Sequence, residues 1–488
     1  MLFNTYTFIL LFLPLTLILF HSCRYYLSSP WMISSLVLSS LFFYGYWQPG
    51  FLLLLIPSIV SNYLISQLIV TNIVSNRAQH WLLIGIGANL SLLAYFKYKN
   101  FFFSTTNDLL GTALDVVPLA LPLAISFFTF QQIAYLVDVY QKKVLPSNLL
   151  NYTAFVAFFP QLIAGPIVHF KNMNQQFSSP IWQGFNADLF NKGIMLFAIG
   201  LFKKVVLADS LASFANPVFD SAFAGEQISS LNAVIAMFSY SFQLYFDFSG
   251  YADMALGIAA MFGILLPINF NSPYRAGSIS EFWQRWHITL SHFLRDYIYI
   301  PLGGNRSGIT KQYSNLLITM LLGGLWHGAG WTFVLWGGLQ GVLLILHRRW
   351  QVLGCQLPLI IAVPITFIIV SLAWVLFRAQ SMEAAYSIYH GLLYPQGVIT
   401  GLMQAWDLLS IKSLLEMRPE SAYVWLIVST LIVLLLPNSQ TFVALHNTES
   451  LAKTTSVMIK GVICGILLFI ALKHMTTVSV SEFLYFNF

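Results

Sequence analysis

The sequence predicts an all-α polytopic membrane protein, and three observations lead there. Charged residues make up 8% of the 488 positions, against 58% hydrophobic ones. Mean hydropathy is +0.74. Apolar runs of about 20 residues, the length that carries a helix across a bilayer, recur from one end of the sequence to the other. A soluble globule dresses its surface with roughly 25% charged residues, so a soluble enzyme is excluded. The apolar content equally excludes a disordered chain.

Taken in order, the apolar runs centre near 5–20, 31–47, 51–73, 80–96, 116–139, 151–169, 188–208, 228–246, 250–268, 314–346, 357–377, 421–437 and 456–473. The first lacks a basic leader and a small-residue cleavage site, so it reads as a retained span. About 10–13 crossings are expected, with some runs re-entrant or short. The longest polar stretches, near 97–115, 170–193 and 395–420, are loop-sized, so one integral-membrane domain over 1–488 is expected, with a motif-rich core near 120–345. No repeat of the two-halved transporter kind is visible.

The net charge of +6 is spread in ones and twos at the ends of apolar runs. Anchoring to anionic headgroups accounts for it, and no nucleic-acid partner is expected. Arg24, Lys97 with Lys99, Lys142 with Lys143, Lys203 with Lys204, and Arg348 with Arg349 mark expected cytoplasmic ends. They cannot all lie on one side if every run crosses, which favours half-membrane segments mid-chain. Cys23, Cys355 and Cys464 are too far apart for a CxxC site, and no metal is expected.

Three stretches between 240 and 341 place ionisable and aromatic groups in apolar surroundings, where an ionisable residue costs roughly 2.5–3.5 kcal/mol. The first holds Asp247 and Asp253 around Ser249-Gly250. It reads as a break or turn at membrane depth, either a polar site or a short loop with capping aspartates.

The second is Asn269–Arg275 followed by 280–306. Residues 280–298 suit one amphipathic helix started by Ser280. Phe282, Trp286, Leu290, Phe293 and Tyr297 share one face, and Gln284, His287, Ser291 and Arg295 another. Glu281–Arg285 and His292–Asp296 are i, i+4 pairs. An interfacial helix is the alternative to a functional one.

The third holds His327, the titratable group of a long apolar run, among Gly323, Gly324, Gly328 and Gly330 and between Trp326, Trp331 and Trp336. Histidine titrates nearest neutral pH and is the first candidate for a general base in a membrane. A lone histidine in an apolar helix can also be structural; the glycines and tryptophans favour function. No GxSxG elbow, HExxH, P-loop or dinucleotide fingerprint is present.

Several long motifs, in order, resemble the membrane-bound O-acyltransferase family, and most closely its bacterial alginate O-acetyltransferase-like branch. They are Ser126–Tyr140, Phe158–Ile167, the Asp247–Asp253 stretch, Arg285-Trp-His287, Arg295–Gly304, Leu325-Trp-His-Gly328 and Glu482–Phe488. The resemblance implies a ring of helices around a thin central layer with a tunnel through it. It implies a multi-pass protein of the bacterial inner membrane, with no bound cofactor. The donor would be acetyl-CoA or a carrier-protein thioester from the cytoplasm, and the acceptor a polysaccharide on the outer side. A periplasmic transferase of the SGNH type would be the expected partner.

The family's characteristic histidine falls on His327 and its second polar position on His287. Asp253, Asp247, Arg285, Trp326, Gln340, Ser291 and Arg295 are the expected supporting or substrate-binding residues. Gln340 stands where relatives often carry histidine, and His292-Phe293 where a small residue and tryptophan are expected. The chemistry would be acyl transfer to a hydroxyl, with His327 as base and His287 orienting substrate or polarising the thioester. The competing class is a transporter or channel using the same buried charges without covalent chemistry. A third reading is a subunit that passes acyl groups to a separate transferase.

Overall fold

The computed structural model describes residues 1–75, 77–117, 119–163, 165–179, 184–306, 308–394, 421–446, 454–477 and 481–484. The loop expected from 395, and residues 485–488 of the last motif, lie outside them. Every regular element among the described residues is helical. Thr7–Tyr26, Pro49–Thr71, Arg77–Leu110, Leu359–Arg378 and Val457–His474 are each long and apolar enough to cross a membrane, and Ala422–Leu435 is a shorter apolar helix. Large apolar side chains on these helices stand exposed, Leu53 at 81% and Ile360 at 84%. With mean hydropathy that high, lipid is the solvent those faces fit. The chain is an all-α, multi-pass membrane protein.

Contacts divide the chain into two compact units. One holds Met1–Phe197, Ala252–Pro267 and Val443–Gly461. Its interior joins a phenylalanine cluster, Phe3, Phe8, Phe12, Phe43 and Phe159, to a polar ladder. In the ladder Gln132 donates to Ser58 at 2.9 Å, Tyr152 to Gln132 at 3.2 Å and Tyr135 to Ser66 at 3.1 Å. Where lipid is as apolar as leucine, such bonds and close packing hold helices together.

The other unit holds Ala198–Tyr251, Ile268–Phe442 and Val462–Phe488, and it positions the site. Seven helices carry residues of it: α1 (Ala187–Phe202) from Ala198 on, α2 (Ser230–Met261) up to Tyr251, and the whole of α3 (Ile279–Arg285), α4 (Ile288–Leu294), α5 (Ile309–His327), α6 (Trp331–Val352) and α7 (Leu359–Arg378).

Three expectations need correction. The break expected between Asp247 and Asp253 is absent: α2 runs unbroken for 32 residues. Gly250 serves packing there, since a Cβ on it would lie 2.8 Å from the Gly200 carbonyl oxygen. Asp247 is held by an ion pair instead of capping an end. The run 314–346 is two helices, α5 and α6, joined through Gly328–Gly330. Their backbones nearly touch, with any Cβ on Gly324 colliding with the Phe333 carbonyl and any on Gly337 with that of Met320.

The single amphipathic helix expected over 280–298 is broken at His287. Ser278, not Ser280, caps α3 by accepting from the Glu281 N–H at 3.2 Å. The helix stops at Trp286, whose ψ is 129°, and α4 begins after His287. His287 has φ +42° and ψ +54°. That left-handed conformation costs a non-glycine residue about 1–3 kcal/mol and persists only where surrounding contacts over-determine it.

Candidate active site

The turn at His287 is pinned from outside by a preceding extended strip. The Asn271 N–H donates to the Arg285 carbonyl at 2.9 Å, and the Ile288 N–H to the Asn269 carbonyl at 3.0 Å. Side chains complete the clamp. Asn269 Oδ1 accepts from the Thr289 N–H at 3.2 Å and from the Thr289 hydroxyl at 2.9 Å. A backbone N–H can only donate, so this atom is the amide oxygen. His287 Nδ1 lies 3.2 Å from the same oxygen and must therefore carry the proton. In the neutral ring the lone pair is then on Nε2. Asn269 fixes the histidine's tautomer as well as its place.

His327 closes α5. Its ring meets Trp326 at 4.8 Å, Trp336 of α6 at 5.1 Å and Phe377 of α7 at 5.2 Å between centroids. Trp326 also packs against His287, at 6.1 Å. One indole thus touches both imidazoles. Phe248 of α2 meets His287 edge-on at 4.8 Å, and Trp374 of α7 stacks on Trp336 at 5.4 Å. Both histidines are buried, at 0% and 4% exposure. An aromatic wall of this kind excludes water and strengthens electrostatic interactions within it.

Gln340 of α6 is fully buried, and its Oε1 accepts from Trp283 Nε1 at 3.1 Å. The indole is a donor only, so the glutamine orientation is settled, and Nε2 is left as a donor without a partner among the described residues. Trp336 Nε1, one turn earlier on the same helix, is likewise a buried donor with no partner among the described residues.

The other expected residues lie elsewhere. Arg285 pairs with Glu281 at 2.7 Å and donates to the Asn271 carbonyl at 3.4 Å, so it supports the turn. Arg295 is exposed and pairs with the adjacent Asp296 at 2.7 Å. The Ser291 hydroxyl donates to the Trp283 carbonyl at 3.0 Å, tying α4 to α3. Ser291 and Arg295 border a cavity of about 230 Å³ with Trp283, Tyr299 and Thr319. Asp247 pairs with Lys204 at 2.7 Å. Lys204, expected at a cytoplasmic end, is instead buried. Asp253 is buried further along α2, in the part assigned to the other unit.

A family model described as "MBOAT, membrane-bound O-acyltransferase family" matches residues 71–354, which include His287, His327 and Gln340. The chain belongs to the membrane-bound O-acyltransferase family. It is 45% identical to a protein of Helicobacter pylori named "Peptidoglycan O-acetyltransferase", over 82% of this chain and 81% of the relative. It is 41% identical to a Pseudomonas aeruginosa protein named "Probable alginate O-acetylase AlgI", over 80% of this chain and 75% of the relative. A "Teichoic acid D-alanyltransferase" of Streptococcus thermophilus is 29% identical over 47% of the chain and 57% of its own length. As a membrane-bound O-acyltransferase of the alginate-like branch, the chain is an enzyme of acyl transfer to hydroxyls.

Sequence reasoning passed over Asn269 and Lys204. Asn269 stands in a polar stretch before α3, yet nothing in its spacing pairs it with a histidine in the turn beyond that helix. Lys204 looked like a headgroup anchor because it follows an apolar run.

Proposed function

We propose that the protein moves an acetyl group from a cytoplasmic thioester donor, acetyl-CoA or a carrier-protein thioester, to hydroxyls of an extracytoplasmic polysaccharide. Its setting would be the bacterial inner membrane, beside a periplasmic transferase of the SGNH type. The relatives' names support a glycan acceptor, since alginate and peptidoglycan both present sugar hydroxyls. The single observation carrying the site assignment is the packing of His287 and His327 on one buried indole, Trp326.

The chemistry follows from an alcohol's weakness as a nucleophile. His327 takes the hydroxyl proton as the oxygen attacks the thioester carbonyl carbon. The carbon–sulfur bond breaks, and the departing thiolate receives the proton. His287, with its lone pair on Nε2, accepts a hydrogen bond from a neighbouring hydroxyl of the acceptor sugar and so orients the attacking one. Holding both substrates in one enclosed site makes the step unimolecular, an advantage of up to about 7–11 kcal/mol.

The test is transfer of radiolabel from acetyl-CoA by purified protein in nanodiscs. His327→Ala should lose transfer by roughly 10²–10⁴-fold, the usual worth of a positioned base, while unfolding at the wild-type temperature. Equal turnover in the two proteins sinks the assignment. The Asn269 clamp favours one second reading, in which His287 is the base and His327 holds the donor. Asn269→Ala would then depress turnover as severely as His327→Ala.

A further inference from the structure

We propose that Lys204, Asp209 and Asp247 anchor the segment Ser481–Leu484, and that the docked segment positions His287 through Phe248. The proposal rests on the reading of His287 as part of the transfer site.

Lys204 Nζ lies 2.7 Å from Asp247 Oδ1 and 2.9 Å from Asp209 Oδ1. The three side chains are 4%, 2% and 11% exposed. One cation between two carboxylates leaves an excess negative charge away from water, and buried charge must be paired or hydrogen-bonded. The segment supplies what is missing. The Ser481 hydroxyl donates to Asp209 Oδ1 at 2.6 Å, and the Leu484 N–H donates to Asp247 Oδ2 at 3.1 Å. Lys204 in turn donates to Ser481 Oγ at 2.6 Å and to the Glu482 carbonyl at 3.1 Å. Each charged group gains a partner from this one segment. A cluster that only braced the helical stretch Lys203–Ala208, which continues α1, would have no need of that matching.

Between these polar contacts the segment inserts Phe483, which is buried. Its ring stacks on Tyr251 at 4.8 Å and packs on Phe248 at 5.5 Å. Phe248 in turn meets His287 edge-on at 4.8 Å and Phe270, next to Asn269, also at 4.8 Å. The docked segment thus backs an α2 side chain that presses on the clamped imidazole. Lys204 and Phe483 act through Phe248 and are positioning residues.

The experiment uses the full chain in nanodiscs, with hydrogen exchange of peptides spanning 481–484 and acetyl-CoA as donor. Lys204→Met should speed exchange in that segment and lower kcat, each by roughly tenfold or more, the worth of a lost charged hydrogen bond. KM for acetyl-CoA should hold within about twofold, since only the reacting geometry changes. Lys204→Arg should restore much of both. Ser481→Ala, which leaves the buried ion cluster intact, should give a smaller change of the same kind. Exchange that rises over α2 as well would report unfolding and overturn the local anchor. Unchanged exchange in Lys204→Met overturns the anchor outright. A loosened segment with unchanged kcat overturns the positioning role. Wild-type protein that transfers nothing defeats the transfer reading, and with it the positioning role, while exchange still decides the anchor on its own.

Discussion

Gln340 shows how one side chain settles a local question. Its oxygen is committed to Trp283, at a position where the family resemblance led us to expect histidine. A histidine ring nitrogen can also accept from that indole, so Gln340→His should keep the Trp283 bond. Gln340→Leu removes the acceptor and leaves a buried N–H unmet, at a cost of about 1–3 kcal/mol. Thermal unfolding in detergent should therefore separate the two variants, with the leucine form clearly lower. Equal midpoints would mean that the indole finds another partner. At this scale the sequence was uneven. His327 stood out as a candidate because glycines and tryptophans surround it in an otherwise featureless apolar run. Asn269 and Lys204 were not, because their meaning lies in partners brought together only by folding.

The helices themselves are set by small residues. Gly193 and Gly257 meet within one unit and Gly200 and Gly250 within the other, so α1 and α2 approach backbone to backbone at two levels. Gly324 and Gly337 do the same for α5 and α6. Gly324→Leu cannot be absorbed by a moving side chain, since backbone atoms fill the space. Overpacking of that kind costs about 1–3 kcal/mol or more. It should also separate His327 from Trp336 and depress transfer, which turnover and unfolding measured on one preparation would check. Element boundaries were the poorest part of the sequence reading for the same reason. Ser249-Gly250 looked like a turn, yet glycine there makes room for a neighbour. Trp286-His287 looked like helix interior, because hydrophobic spacing carries no sign of a left-handed residue enforced by Asn269 and Asn271.

For the molecule as a whole, composition alone was decisive. With 8% charged residues, no arrangement of this chain could present a water-compatible surface. The exposed apolar faces bear that out. Ile368, near the middle of α7, is 44% exposed. Ile368→Asp should hinder insertion by about 2.5–3.5 kcal/mol on translocon scales. A glycosylation-site insertion assay on the segment should show it; unaltered insertion would mean this face meets protein or water instead of lipid.

The backbone of His287 also governs how any change at that position should be understood. Replacing it alters two things together, the imidazole and the ease with which the chain turns left-handed. Asparagine visits that region readily, whereas most side chains resist it. Alanine thus mixes a chemical loss with a conformational one, and asparagine isolates the chemical loss. The gap between His287→Asn and His287→Ala becomes a direct gauge of how much the enzyme spends on holding one residue in an unfavourable shape.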